Sequence, residues 1–373
     1  MRGTCVRQAP RPWAFGHTRD AGIWWQAGAF ALLLPPVLRM HPGPEVTTPE
    51  APAPTSSVRE LEMTSSSSVK GLLKTLRPHQ WVKNIFVLAP MVFHKDVFVT
   101  TPVGMALNLS VAGRAFAATA AFCLLAGAVY TINDLADVEA DRVHPVKRFR
   151  PIASGAVPVG VAKAMAAALV VVSIGGAYAL SPMLALVAFI YFAENLAYSF
   201  KLKNVAFLDV GLISFGFVLR VLAGGIATDV HVSGYMFACT ALLALFLGFG
   251  KRRHELASAQ ASKQRAALQA YTAASLNWAL GITGTATVVT YVAYTLDPVT
   301  KAFFNTGYLW LTTPFTILSI ARFLLLVNGK VGRGLKAESP TQEMVRDVPM
   351  VLTVIIWVIV VVAIVYQLRP GGR

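Results

Sequence analysis

Charge is scarce in this sequence. Of 373 residues, 14% are Asp, Glu, Lys or Arg, against about 25% in soluble globular chains. With 55% hydrophobic residues, that shortage argues against a water-soluble domain. Acids are the scarcer sign, 18 against 33 Lys and Arg, for a net charge of +15. Cysteine is nearly absent: Cys5, Cys123 and Cys239 are odd in number, and the last two lie in apolar runs. They offer neither a disulfide framework nor a thiolate metal spacing. Period-two alternation is missing, which argues against a transmembrane barrel. There is no Gly-rich phosphate loop, serine triad or nucleic-acid motif, so no nucleic-acid partner is expected.

What is present is a series of long apolar runs, each able to cross about 30 Å of hydrocarbon. The expected fold is all-α, a polytopic membrane bundle of about nine spans. They fall near 82–101, 113–133, 157–180, 182–200, 205–225, 233–250, 275–296, 303–327 and 348–367. The first is short and interrupted by Pro90. Residues 1–62 stand apart: Pro-rich, with one short apolar piece at Ile23–Leu38 behind four arginines. They read as a disordered or non-native extension, or as a signal-like anchor. Met63 resembles a natural start, and 63–373 is expected to be the working domain.

The loops orient the bundle. Arg142, Lys147, Arg148 and Arg150 follow the second span, and Lys201 and Lys203 the fourth. Lys251, Arg252, Arg253, Lys263 and Arg265 follow the sixth; Lys330, Arg333, Lys336 and Arg346 follow the eighth. The opposite side carries Lys95 and Lys301, fifteen against two. Cytoplasmic loops collect Lys and Arg and lie against anionic membrane lipids, so the basic face is expected in the cytoplasm of a plasma (inner) membrane protein.

On that face lies the densest charge in the chain, "NDLADVEADRVHPVKRFRPIASG", Asn133–Gly155. At about 100° per residue, Asn133, Asp134, Asp137 and Asp141 share a sector of roughly 100°, while Glu139 points elsewhere. Like charges so close repel unless a cation intervenes. Hard oxygen ligands without Cys or His favour Mg²⁺, or Mn²⁺, over zinc, and Mg²⁺ is commonly completed by substrate phosphate. Asp137 and Asp141, helped by Asn133 and Asp134, are the candidate metal ligands. Lys147, Arg148 and Arg150 follow closely and suit phosphate oxygens. A solvated loop whose acids and bases merely pair is the plainer alternative.

The block resembles the first Asp-rich motif, NDxxDxxxD, of the UbiA-type intramembrane prenyltransferase superfamily, with Asn133, Asp137 and Asp141 at its positions. Five stretches resemble the decaprenyl-phosphate phosphoribosyltransferase branch: "LRPHQWVKN", "HPVKRFRPIASG", "YSFKLKNVAFLDV", "GFVLRVLAGG" and "GKRRHEL". The resemblance runs from about residue 74 to 367. It implies a helical bundle around a cavity, and transfer of 5-phosphoribose from phosphoribosyl diphosphate to a polyprenyl phosphate for cell-wall arabinose precursors. Where many members place a second acid four residues on, Asp209 is followed by Ile213. That puts a second protein-bound ion in doubt and makes Lys201 and Lys203 candidate phosphate binders.

Asp209 joins Asp137 and Asp141 as a candidate catalytic acid, supporting a second ion or orienting the ribose. Lys83, Tyr198 and Arg220 are further candidate substrate contacts, beside Asn133, Lys147 and Arg148. Lipid snorkelling explains Lys83 equally well, and an interfacial belt explains Tyr198. Glu194 and Arg220 sit inside spans, where ionisable groups commonly mark a cavity. Lys251 or Arg252 could also contribute to the site, and the positive-inside tendency explains them almost as well. Two other functions stay open: prenyl transfer from a prenyl diphosphate to an aromatic acceptor, and anion or lipid-phosphate transport. Oligomeric state is also left open.

Overall fold

The computed structural model describes residues 69–92, 97–101, 104–257, 266–329, 344 and 346–367. The expected extension 1–62 lies outside them, as do Lys95, Lys263, Arg265, Lys330, Arg333 and Lys336. Eight helices among the described residues are long and apolar enough to cross a membrane. They are α1 (Leu109–Ala136), α2 (Val159–Leu180), α3 (Pro182–Phe200), α4 (Leu208–Thr228), α5 (Gly234–Ala257) and α6 (Ala273–Leu296). The last two are α7 (Thr313–Val327), entered by a 3₁₀ turn Leu309–Thr312, and α8 (Val348–Val362), continued by a π turn Ala363–Gln367.

The stretch expected as the first span, 82–101, takes another form. A 3₁₀ helix Pro78–Val87 leads into a short helix Ala89–Val92, then strand β1 (Phe98–Thr101) pairs antiparallel with β2 (Gly104–Leu107). A hydrophobic run this short, with a proline inside it, does not reach spanning length as one helix.

Local chemistry starts the helices where they start. Asn108 accepts from the backbone N–H groups of Ser110 and Val111 to cap α1. Thr272 and Ser275 form a reciprocal capping box on α6. Asp347 accepts from Met350 N–H at α8 and is clamped by both arms of Arg322 on α7, at 2.9 and 2.8 Å. Those bonds hold the Asp347 carboxyl below the usual carboxylate range, and the one from Met350 satisfies an orphan N–H at the start of the helix.

Consecutive spans pack side by side, and α1 also meets α4. Tyr366, past α8, donates to the Val92 carbonyl at 2.6 Å, tying the last span to the first described segment. One core joins Phe122 and Leu125 of α1 to Leu184 and Tyr191 of α3 and Leu219 of α4. A second joins Val210 of α4 to Phe246 of α5, Leu276 and Leu280 of α6 and Phe323 of α7. The apolar windows of α1 and α4 are 56% buried, against 17% for α2. These two central helices carry Asp134 and Asp209, so the acids come from the interior rather than the lipid face. The outer helices show apolar side chains such as Val171, Val172, Ile355 and Ile359, which suit hydrocarbon.

The 3₁₀ helix docks on α4 through glycine. A Cβ on Gly224 would stand 2.0 Å from the Val87 carbonyl oxygen, whereas one on Gly211 in the same helix would meet nothing within 4 Å. We therefore expect Gly224→Ala to lower stability by about 1–3 kcal/mol through overpacking. Gly211→Ala should be neutral or stabilising by about 0.5–1 kcal/mol. Thermal unfolding of the two variants in detergent checks this.

Candidate active site

The acid array stands at the end of α1. The helix is interrupted at Asp137 (φ −93°, ψ 4°), and a short helix Val138–Val143 follows. The backbone ladder persists through the kink: Asp137 N–H bonds Asn133 O at 3.0 Å, and Asp141 N–H bonds Asp137 O at 2.8 Å. The four polar side chains thus keep their common sector, yet it divides in two. Positions seven apart nearly eclipse on a helix, as do positions four apart. Asp134 and Asp141 therefore fall together, with Asp137 midway between Asn133 and Asp141, and the division comes from which acids arginine holds.

Asp134 and Asp141 are 3% and 2% exposed, and arginine takes both. Arg150 Nη1 lies 3.1 Å from Asp134 Oδ1 and 2.7 Å from Asp141 Oδ2. Arg77 Nη2 reaches the same Asp134 oxygen at 2.7 Å, and Lys147 approaches Asp141 at 3.9 Å. Arg77 holds a left-handed backbone (φ 51°) just before Pro78, a conformation costly for a non-glycine residue. Its guanidinium lies 5.1 Å from the centre of the Tyr130 ring. Asn133 and Asp137, half-buried, form no ion pair or side-chain hydrogen bond among the described residues.

The second acid is enclosed. Asp209 is fully buried; its Oδ2 makes a close ion pair with Arg252 Nε at 2.8 Å, and its Oδ1 accepts from Tyr271 Oη at 2.7 Å. The Tyr271 hydroxyl in turn accepts from Phe207 N–H at 2.6 Å. Burial and the Asp209 carboxylate push the Tyr271 hydroxyl above its ordinary range. Phe207 is another left-handed non-glycine residue (φ 63°), so this lock fixes the strained turn behind Lys201 and Lys203. Lys201 is exposed and Lys203 half-buried on that turn. Arg252 also bonds Glu255 and lies within electrostatic reach of Tyr198.

Arg220 forms a third cluster. It is buried, with Nε donating to Asn84 at 2.8 Å, Nη1 to the Gly216 carbonyl at 2.9 Å and Nη2 to Tyr191 Oη at 2.7 Å. Its guanidinium lies against the Tyr191 and Phe217 rings. It anchors the 3₁₀ helix one residue after Lys83. Lys83 links the clusters: its side chain reaches the surface, and partial desolvation of its stem, followed by the positive charges of Lys251, Arg220 and Arg77, lowers its pKa to about 8. Arg148 is exposed and leans on the Phe149 ring, 4.8 Å away.

The donor set has a definite metal capacity. Among the described residues no three of His, Cys, Asp and Glu converge as a cage, and three of the four acids already hold arginine. Asp137 with Asn133 fits a hard ion that takes the rest of its ligands from substrate phosphate and water. Arg77, Asn84, Tyr191 and Tyr271 are the structural partners that the sequence left unassigned, while Arg150, expected on phosphate, holds Asp134 and Asp141, and Arg252, expected in a positive-inside cluster, holds Asp209. Arg150 alone sat inside the motif that drew attention.

On the side of α1 turned away from Asn133 and Asp134, Ile132 and Leu135 of α1, Lys163, Ala166, Ala167, Val170 and Val171 of α2, and Phe192 of α3 line an open apolar groove of about 430 Å³.

Comparisons with known proteins agree with this architecture. The model of the UbiA prenyltransferase family matches residues 97–262. Decaprenyl-phosphate phosphoribosyltransferase of Mycobacterium tuberculosis is 38% identical over 308 residues, 80% of this chain and 95% of that protein. Its Mycolicibacterium smegmatis counterpart is 35% identical over 314 residues, 80% and 93%. A solved UbiA homologue from Archaeoglobus fulgidus, bound to GPP and Mg²⁺, superposes with a TM-score of 0.57 at 17% identity, covering 79% of this chain and 99% of that one. The chain belongs to the UbiA prenyltransferase family. Its eight apolar helices and this membership make it a multi-pass membrane protein.

A lysine with a pKa near 8 should leave a mark on anion binding. As pH rises through about 8 the ammonium becomes neutral, so affinity for inorganic diphosphate should fall relative to Lys83→Arg, by up to about tenfold per pH unit. Calorimetric titration of both proteins across that range measures the difference.

Proposed function

We propose that this chain transfers 5-phosphoribose from phosphoribosyl diphosphate to a polyprenyl phosphate, releasing diphosphate. The reading rests on one observation: an uncommitted carboxylate, Asp137, stands beside a cluster of phosphate-binding cations, in a chain 35–38% identical to two decaprenyl-phosphate phosphoribosyltransferases. Decaprenyl phosphate is the proposed acceptor. The excess of Lys and Arg on the face holding the array supports a site open to the cytoplasm of the plasma (inner) membrane.

Asp137 and Asn133 would hold Mg²⁺, with Mn²⁺ a workable substitute. Such an ion offsets the charge of the donor diphosphate and makes it a better leaving group. Asp134 and Asp141 act through Arg150. They engage its Nη1, which leaves the other guanidinium nitrogens to grip phosphate. Lys83, Lys147 and Arg148 add charge near the array, and Lys201 and Lys203 add it from the turn before α4. Asp209 is a positioning residue, pinning that turn through Tyr271. Arg220 likewise holds the backbone beside Lys83, and Tyr198 lines the Arg252 side.

As the bond from ribose C1 to the diphosphate oxygen breaks, these cations take up the charge on the departing group. A phosphate oxygen of the acceptor forms the new bond to C1. That oxygen is already anionic and needs placement rather than a general base. The isoprenoid tail of the acceptor would enter from membrane lipid.

Purified protein with Mg²⁺, labelled phosphoribosyl diphosphate and decaprenyl phosphate should carry label into an organic extract. Asp137→Asn should cut that transfer by about 10²–10³-fold, the scale of losing a key electrostatic group. No transfer, with turnover of a prenyl diphosphate and an aromatic acceptor instead, would overturn the reading.

A further inference from the structure

We infer that this site works with one divalent cation per chain, and that the buried Arg252 guanidinium supplies the fixed positive charge at the second acidic position. The inference deepens the proposed function and rests on its assignment of Asp137 as the ion's carboxylate.

An ion shared between protein and diphosphate needs a carboxylate not already neutralised. Of the four acids considered, Asp134 is held by Arg77 and Arg150, and Asp141 by Arg150 with Lys147 nearby. Asp209 has one oxygen against Arg252 and the other under the Tyr271 hydroxyl. Only Asp137 has no such partner among the described residues. At Asp209, 0% exposed, with Arg252 itself 2% exposed, a second dication would meet a guanidinium already in contact. To bind there it must expel Arg252 from Glu255 and from Asp209 at once. The residue four positions after Asp209 is Ile213, which brings no ligand. A permanent guanidinium differs from an ion in one useful way: it neither dissociates nor requires filling before the donor binds.

Manganese gives a readout independent of turnover. Purified protein is titrated with Mn²⁺ in the presence of inorganic diphosphate, and protein-bound Mn²⁺ is counted by electron paramagnetic resonance. We expect one tightly bound ion per chain, with a spectrum free of Mn–Mn coupling. Asp209→Asn should keep that count, and Asp137→Asn should lose it. Two ions per chain, or the coupled spectrum of ions about 3.5–4 Å apart, overturns the inference. So does a count that falls on Asp209→Asn. Should Asp209→Asn fail to fold, the wild-type count and spectrum decide the matter alone. Failure of phosphoribosyl transfer with one ion bound would instead reject the proposed reaction and leave the count standing. Absence of any bound ion would reject both.

Discussion

One guanidinium organises the site. Arg150 bridges two buried carboxylates, Asp134 and Asp141, through a single nitrogen. Two bare acids at a membrane helix end would each carry a large desolvation cost and repel one another. Arg150 and Arg77 together offset the two charges, and Arg150 fixes the kinked end of α1 to the chain that returns toward α2. Arg77 closes the other flank of Asp134 and ties in the segment before the 3₁₀ helix. Removing Arg150 would leave Asp134 to Arg77 and Asp141 to the more distant Lys147, so one side chain carries two contacts of the array.

The same device recurs at α4. Asp209 and Arg252 form a buried pair completed by Tyr271, and Arg220 uses all three of its nitrogens on Asn84, Gly216 and Tyr191. Each arginine joins helices far apart in sequence. Beside each lies a further charged residue: Lys83 next to Asn84, Lys251 next to Arg252, and Asp137 next to the bridged pair. Most of the chain's few buried charges are thus spent on building the scaffold. In a chain with 14% charged residues, that economy follows from the cost of placing ions near hydrocarbon.

How much of this was legible beforehand follows from how local each signal is. Eight spans announce themselves as apolar runs, because bilayer thickness sets a length that the sequence must meet. The stretch 82–101 misled because its apolar residues are interrupted at Pro90, and helix, 3₁₀ turn and strand share them. The array was visible because four-residue spacing is a local property of one helix. Its division into a bridged pair and a free pair was not. That depended on Arg77, 57 positions from Asp134, and on Arg150, 16 positions away. The Arg220–Asn84 bond spans 136 positions and the Tyr271–Asp209 bond 62; no periodicity reports such partners. Arg252 looked like one more member of a positive-inside cluster until its burial was seen.

The central claim is that Arg150 stays between Asp134 and Asp141 while a cation occupies Asp137. Crystals grown with Mn²⁺ and phosphoribosyl diphosphate test it directly through anomalous scattering. The account predicts one manganese peak at Asp137 and Asn133, with the Arg150 bridge intact beside it. A peak coordinated by Asp134 or Asp141, with Arg150 swung away, would contradict it.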